Sequence, residues 1–321
     1  MIKKKIAIIG GGYWGSIIIN TLNKLKFKSI IVHDINKINL RIIKKKFNNI
    51  CIEQKLTNIL KDKDINYVIV ATPPSKNYKV VRKLILNKKN IFLEKPGFKN
   101  LNEINKIQKL LSKFKIKLMF GYIYCYNNQI DKIKNILKKK ELGKILYISF
   151  SRKNLGPIRN DVDVDYDLSS HDLSIILKLF GKLPKIISHK KYCILKKNIA
   201  DISNLHLKLN NFYIDINNSW LNPTKERLIK IIGTKKMLLY NEMDFTNPIK
   251  IYNQYAKYPT MHFFDKKFIN SKALIYKGIN KSIRIKSNNP LSKEIKYFLD
   301  NKKNYTDISF SKKILKFLKG V

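Results

Sequence analysis

Along the first third of the chain, apolar and polar positions switch between two rhythms. "KKIAIIG" is a short apolar run, and "YWGSIIINTLNKLK" repeats its apolar positions at helical spacing. "SIIVHDI" reads as a second strand, "INLRIIKKKF" as a second helix, and "NYVIVATPP" as a β-branched strand stopped by two prolines. "SKNYKVVRKLILNKK" is helical, "NIFLEKP" is another strand, and a long helix from Asn102 to Phe114 leads into "IKLMFGY". Apolar strands alternating with amphipathic helices predict an α/β fold whose parallel sheet is covered on both faces.

After Gly121 the rhythm changes. A helical "NQIDKIKNILKKKELG" precedes the strand "KILYISFSRKN", then an Asp-rich loop and a helix, "DLSSHDLSIILKLFG". From Pro184 onward the segments read as strands, and "LKLNNFYIDI" and "IIGTKKMLLY" have the form of hairpins joined by short Asn- or Gly-containing turns. The last segments, "PLSKEIKYFLDN" and "SFSKKILKFLKG", return to helix. The expectation is two domains, 1–121 and 122–321, the second built on a mostly antiparallel sheet.

A length of 321 residues and an apolar fraction of 44% suit two globular cores. No run approaches the roughly 20 apolar residues of a membrane span. The opening "MIKKKIAIIGGGYW" imitates a signal peptide, but glycines break its apolar run and no small-residue cleavage site follows. The three cysteines, Cys51, Cys125 and Cys193, form no C-x-x-C, so neither a disulfide framework nor a metal site is expected and a cytoplasmic location fits.

Charge is the loudest feature: 66 Lys+Arg against 22 Asp+Glu leave +44. A specific nucleic-acid partner is nevertheless not expected. Only six of the basic residues are arginine, whose planar fork suits base and phosphate recognition, and the lysines are spread along the chain. The excess of Lys, Asn and Ile together reads as A/T-rich codon bias, with loose attraction to anions as its by-product.

Three stretches carry candidate chemistry. Gly10, Gly12 and Gly15 have G-x-G-x-x-G spacing between a predicted strand and a helix opening at Tyr13. The first permits a tight turn, the second lets a pyrophosphate approach the backbone, and the third lets helix and strand touch; Gly11 adds no requirement. Asp34 ends the next predicted strand, where a carboxylate accepts from ribose hydroxyls and repels a 2′-phosphate, favouring NAD over NADP. His33 beside it reads as a strand-end residue. In "FLEKPG", Glu94 and Lys95 stand at the carboxyl end of a predicted parallel strand, where such sheets bind ligands. In "DYDLSSHDLSII", Asp167 and His171 are spaced i, i+4 on one helical face, with Asp172 turned away. Spacing alone leaves a proton-transfer pair and a helix cap with an incidental histidine equally open.

"GGGYWG", "ATPPSKNY", "EKP", "GY" and "DLSSHD", in this order, resemble the Gfo/Idh/MocA family of NAD(P)-dependent oxidoreductases, with a likeness running through essentially the whole chain. "SRKNLGPIRNDVDVDYDLSSHDLSI" and "SWLNPTKERLIKIIGTKKMLLYNE" resemble a subgroup that includes nucleotide-sugar 3-dehydrogenases of the UDP-N-acetylglucosamine type. The resemblance implies an N-terminal Rossmann domain and a second α/β domain whose open-faced sheet often serves in homo-oligomers, dimer or tetramer. It implies a catalytic Lys95 with the pair Asp167 and His171. Gly10, Gly12, Tyr13, Trp14, Gly15, Asp34, Thr72, Pro73, Pro74 and Glu94 are expected on the cofactor side. Tyr122, Asn154, Arg159 and Asp161 are expected on the substrate side. Asn77 departs from a frequent His after "PPS", and Tyr166 from a frequent Trp. The expected reaction passes a hydride from a secondary alcohol of a sugar or nucleotide sugar to NAD, with His171 as base. A cyclitol substrate, a keto-sugar reductase and a non-catalytic NAD-binding protein are the alternatives.

Overall fold

The computed structural model describes residues 4–257, 274–285, 288–300 and 304–320. Two compact units emerge, Met1–Asn127 with Asn288–Gly320, and Asn128–Ser287.

The first unit opens with β1 (Lys5–Ile9), α1 (Tyr13–Lys24), β2 (Ser29–His33) and α2 (Lys37–Lys46). It continues through β3 (Ile50–Ile52), α3 (Leu56–Lys61), β4 (Ile65–Val70) and α4 (Pro74–Leu86), then β5 (Asn90–Glu94), α5 (Leu101–Leu111) and β6 (Leu118–Gly121). The six strands pair in parallel in the order β3-β2-β1-β4-β5-β6. That is the doubly wound arrangement, in which the strand order reverses beside β1 and leaves a crevice at the strands' carboxyl ends. The patterning works because β1, β2, β4 and β5 bury long Ile/Val-rich runs between two helical layers. A 3-10 turn, Ile123–Tyr126, closes this part of the chain.

The second unit contains α6 (Asn128–Lys138), β7 (Ile145–Lys153), a π turn (Asp165–Ser169) and α7 (Ser170–Phe180). Strands β8 (Lys185–Tyr192), β9 (Ile202–Leu209), β10 (Phe212–Ser219), β11 (Glu226–Gly233), β12 (Met237–Asn241) and β13 (Ile249–Tyr252) follow. Then come β14 (Gln254–Lys257), β15 (Leu274–Lys277) and β16 (Lys281–Ile283). Eight strands form one sheet, β16-β13-β12-β11-β7-β10-β9-β8, antiparallel except for β7 with β10; β14 and β15 pair separately. Both hairpins expected from sequence are present, β9–β10 turning at Asn210 (φ +54°) and β11–β12 turning after Gly233. Strict alternation puts Leu205, Leu207, Ile214 and Ile216 on the buried face, while Lys208 and Tyr213 are exposed on the other.

The chain then returns to the first unit as α8 (Pro290–Leu299) and α9 (Ile308–Lys319). This corrects the split at residue 121, which followed chain contiguity. Leu291, Ile295, Phe298 and Leu299 pack into the same core as Ile6, Ile8, Phe92 and Met119, and Phe298 meets Phe92 edge-on. Thr306 adds two links to β6, its hydroxyl donating to Phe120 O and its carbonyl accepting from Phe120 N. An apolar helical stripe goes where it finds an uncovered sheet, whatever its place in the chain.

Candidate functional site

In the first unit, the turn between β1 and α1 has little room for side chains except at one point. Gly10 adopts φ +103°, and a Cβ there would sit 2.5 Å from Ala71 O. At Gly15 a Cβ would lie 2.1 Å from Gly10 O, so α1 could not approach the turn. Gly12, by contrast, faces open space, with nothing within 4 Å of its would-be Cβ. It is the N-cap of α1, makes no side-chain cap, and no acidic residue follows in the first turn. Free N–H groups, a favourable helix dipole and an unfilled approach together fit a pyrophosphate.

Asp34, just past β2, is held in place rather than loose. Its Oδ2 accepts from Gly11 N at 2.7 Å and from Asn39 Nδ2 at 3.0 Å, and its Oδ1 from Asn36 N at 2.8 Å. Gly11 therefore does have a requirement: its N–H fixes Asp34, and a Cβ there would press Ile43 Cδ1 at 3.0 Å. His33 is a strand-end residue, buried, with Nδ1 2.9 Å from Glu53 O.

The loops after β4 and β5 are tied together by the residue that departs from the family pattern. Asn77, on α4, accepts from Thr72 Oγ1 at 2.6 Å and donates to Gly97 O. Pro74 opens α4 at a position where its missing N–H is harmless. Glu94 ends β5, and Lys95 follows it, half-buried. Burial pushes the Glu94 carboxyl up to about 7, against the opposing pull of the Trp14 indole and Lys95. Neither Glu94 Oε1 nor Trp14 Nε1 completes a hydrogen bond of normal geometry. Tyr13 stands exposed at the mouth of the turn. Tyr122, expected on the substrate side, is 1% exposed, with its hydroxyl 3.2 Å from Ser311 Oγ on α9. Burial pushes that phenol well above its usual range.

In the second unit, Asp167 and His171 straddle a change of helical pitch. Residues 165–169 form a π turn and the α-helix proper begins at Ser170, with His171 in its first turn, so the expected single α-helix is widened at its start. Asp167 accepts from the buried Trp220 Nε1 at 3.3 Å and lies 3.6 Å from Arg159 Nη1. Arg159 in turn holds Asp161 through two bonds of 3.0 and 2.9 Å. Asp161, Arg159 and Asp167 are thus brought together, and much of the Arg159 fork is spent within the cluster. Asn154 braces its own loop, donating to Gly156 O and accepting from Arg227 Nη2.

Sequence reasoning missed two groups that position this helix. Asp172 is 1% exposed and accepts from Arg152 Nε at 3.1 Å and Nη2 at 2.8 Å, which pins α7 to β7. Asp165 accepts from Ser169 Oγ at 2.8 Å and meets His189 Nε2 at 2.9 Å. Although burial pushes Asp165 up, these partners and Ser203 hold it below the usual carboxylate range. The signal available for the first was a single arginine in a chain that otherwise prefers lysine.

Residues 4–122 match a family model described as an oxidoreductase family with an NAD-binding Rossmann fold. YrbE of Bacillus subtilis (strain 168), described as an uncharacterized oxidoreductase, is 20% identical over 204 residues, 62% of this chain and 60% of the relative. The scyllo-inositol 2-dehydrogenase (NAD(+)) of the same organism is 28% identical over 128 residues, 38% of this chain and 37% of the relative. The chain therefore spans less than two thirds of either curated relative. The structure of the UDP-N-acetylglucosamine 3-dehydrogenase GnnA from Acidithiobacillus ferrooxidans superposes with a TM-score of 0.79 at 18% identity, over 100% of this chain and 97% of that one. At that identity the likeness is one of fold.

Proposed function

We propose, from the match of residues 4–122 to the Gfo/Idh/MocA oxidoreductase family model, that the chain is an NAD-dependent dehydrogenase of that family. Its substrate is a secondary alcohol of a sugar or nucleotide sugar, of the UDP-N-acetylglucosamine type at C3, and it works as a cytoplasmic homo-oligomer. The observation that carries the cofactor half is the open cradle at Gly12 beside an Asp34 already fixed by Gly11 N–H. Bound NAD supplies the hydride acceptor. The N-terminus of α1 holds the anionic bridge, and Asp34 accepts from ribose hydroxyls while repelling a 2′-phosphate.

The remaining work falls to side chains. Lys95 donates a hydrogen bond to the alcohol oxygen and keeps its developing negative charge in check. His171 accepts the hydroxyl proton as the carbonyl forms. Asp167, oriented by Trp220 and Arg159, fixes the tautomer and position of the imidazole. Arg159 therefore serves Asp167 ahead of any phosphate. A cyclitol substrate is the second reading, favoured by the scyllo-inositol dehydrogenase relative.

The test is NADH formation, followed by absorbance, across a panel of UDP-sugars, free sugars and cyclitols. Lys95→Met and His171→Ala are each expected to lower turnover by about 10²–10⁴-fold, with NAD affinity by calorimetry unchanged within about a factor of two. Retained turnover in either variant would remove that residue's role. A wild type that oxidises no polyol, yet selects a DNA sequence at physiological salt, would overturn the enzyme reading.

A further inference from the structure

α8 buries Leu291, Ile295 and Phe298 in the core of the first unit, and the position that completes this i, i+3, i+4, i+7 stripe is Glu294. Glu294 is 0% exposed, and neither of its oxygens makes a hydrogen bond of normal geometry. The backbone N–H that faces it, from Tyr122, is spent on Phe120 O at 2.9 Å. The charged group in its field is another carboxyl, that of Glu94. Glu94 lies across Gly121, its register partner on β6: a Cβ at Gly121 would stand 2.9 Å from Glu94 Oε2 and 3.0 Å from Oε1. The two carboxyl groups thus flank the Gly121–Tyr122 step of the chain. Around Glu294 stand Tyr122 and Tyr126 at the 3-10 turn; around Glu94 stand Trp14 from α1 and Lys95.

We propose that Glu94 and Glu294 form a buried carboxyl pair that retains a proton at neutral pH, with Glu294 the positioning residue that sets the charge Glu94 presents to the cofactor. Burying an ion costs several kcal/mol unless a counter-charge compensates. Here the compensation reaches one member, Glu94 through Lys95, while the other faces a like charge. Two such groups do not ionise together, and their protons belong to the pair rather than to either residue. Burial raises both: Glu94 to about 7 and Glu294 well above its usual range.

The consequence rests on the dinucleotide reading above. Oxidised nicotinamide carries a positive charge that favours the ionised Glu94, so NAD⁺ binding expels a proton from the pair to solvent. The reduced ring lacks that charge and leaves the proton in place.

The experiment has two arms on the full chain. In the first, without cofactor, the infrared carbonyl band of protonated carboxyl groups is titrated in wild type, Glu94→Gln and Glu294→Gln. Ordinary glutamates, with pKa about 4.3, are ionised at pH 8. Wild type is expected to keep about one protonated carboxyl per chain there, and Glu294→Gln, a neutral isostere, to lose it. No such band in wild type, or the same band in Glu294→Gln, overturns the pair; if that variant fails to fold, the wild-type band alone decides. In the second arm, NAD⁺ and NADH affinities are measured by calorimetry from pH 6 to 8. NAD⁺ affinity is expected to rise by up to about tenfold per pH unit below neutrality and then level off, with NADH flat and Glu94→Gln flat for both. A flat NAD⁺ profile in wild type refutes the link to the cofactor. Failure of either dinucleotide to bind would sink the functional reading and leave the first arm standing.

Discussion

Arg152 and Asp172 hold the helix that carries His171, and they offer a test with a sign that depends on how many charges are removed. Both side chains are nearly inaccessible, at 5% and 2%, with Nη2–Oδ1 at 2.8 Å. Asp172→Ala leaves a guanidinium buried without its carboxylate, a change that costs about 3–5 kcal/mol in such settings. Asp172 Oδ2 makes no hydrogen bond, so both N–H donors share one oxygen and the lower end, about 3 kcal/mol, is expected. Against a typical total of about 5–15 kcal/mol this is a large fraction. Removing both charges with the apolar pair Arg152→Met and Asp172→Leu should return stability to within about 1 kcal/mol of wild type, because neither member of the pair is then left without the other. The protein has two tryptophans, Trp14 and Trp220, one in each unit. In a Trp14→Phe background the buried Trp220 reports unfolding of the second unit alone in a urea titration. A loss below about 1 kcal/mol for Asp172→Ala, or a double variant no more stable than the single, would refute the reasoning.

Two further outcomes follow from numbers already given. Gly12→Ala should leave thermal stability within about 0.5 kcal/mol while weakening NAD binding at least about tenfold, since its methyl enters the open cradle; Gly15→Ala, clashing with Gly10 O at 2.1 Å, should lower the melting temperature itself. For Glu94, a carboxyl raised from 4.5 to about 7 binds its proton more tightly folded than unfolded. Its contribution is therefore greatest below pH 4.5 and is lost as pH rises to about 7, by roughly 3 kcal/mol. The difference between wild type and Glu94→Gln in denaturant melts should trace that window and flatten above it; a slope of opposite sign would contradict the burial argument.

Much of the fold was legible because its strands are long apolar runs with clear stops. The pieces that escaped are short: β3 has three residues and α3 has six, too few to establish a period. The return of α8 and α9 to the first unit was hidden because periodicity tells which face is buried but not against what. Tyr122 was expected on the substrate side by resemblance alone, and its hydroxyl contact with Ser311 on α9 comes from a segment far away in sequence. Asp167 and His171 stood out by type and spacing, but the π turn beneath them depends on tertiary partners such as Trp220. Glu294 left a readable trace, a carboxylate at the apolar spacing of "LSKEIKYFL", that only the packed core makes meaningful.

The first unit is interrupted in sequence by the whole of the second. During synthesis the sheet that carries Phe92 and Met119 is complete by residue 121, yet α8, which packs Leu291, Ile295 and Phe298 into the same core, is made only after the whole second unit. While 128–287 are being made, α1 and α2 already pack on that core, but the part that Leu291, Ile295 and Phe298 fill still waits for α8. Of the two units, the one begun first is therefore the one finished later, and its unfilled core is the apolar surface longest exposed to aggregation.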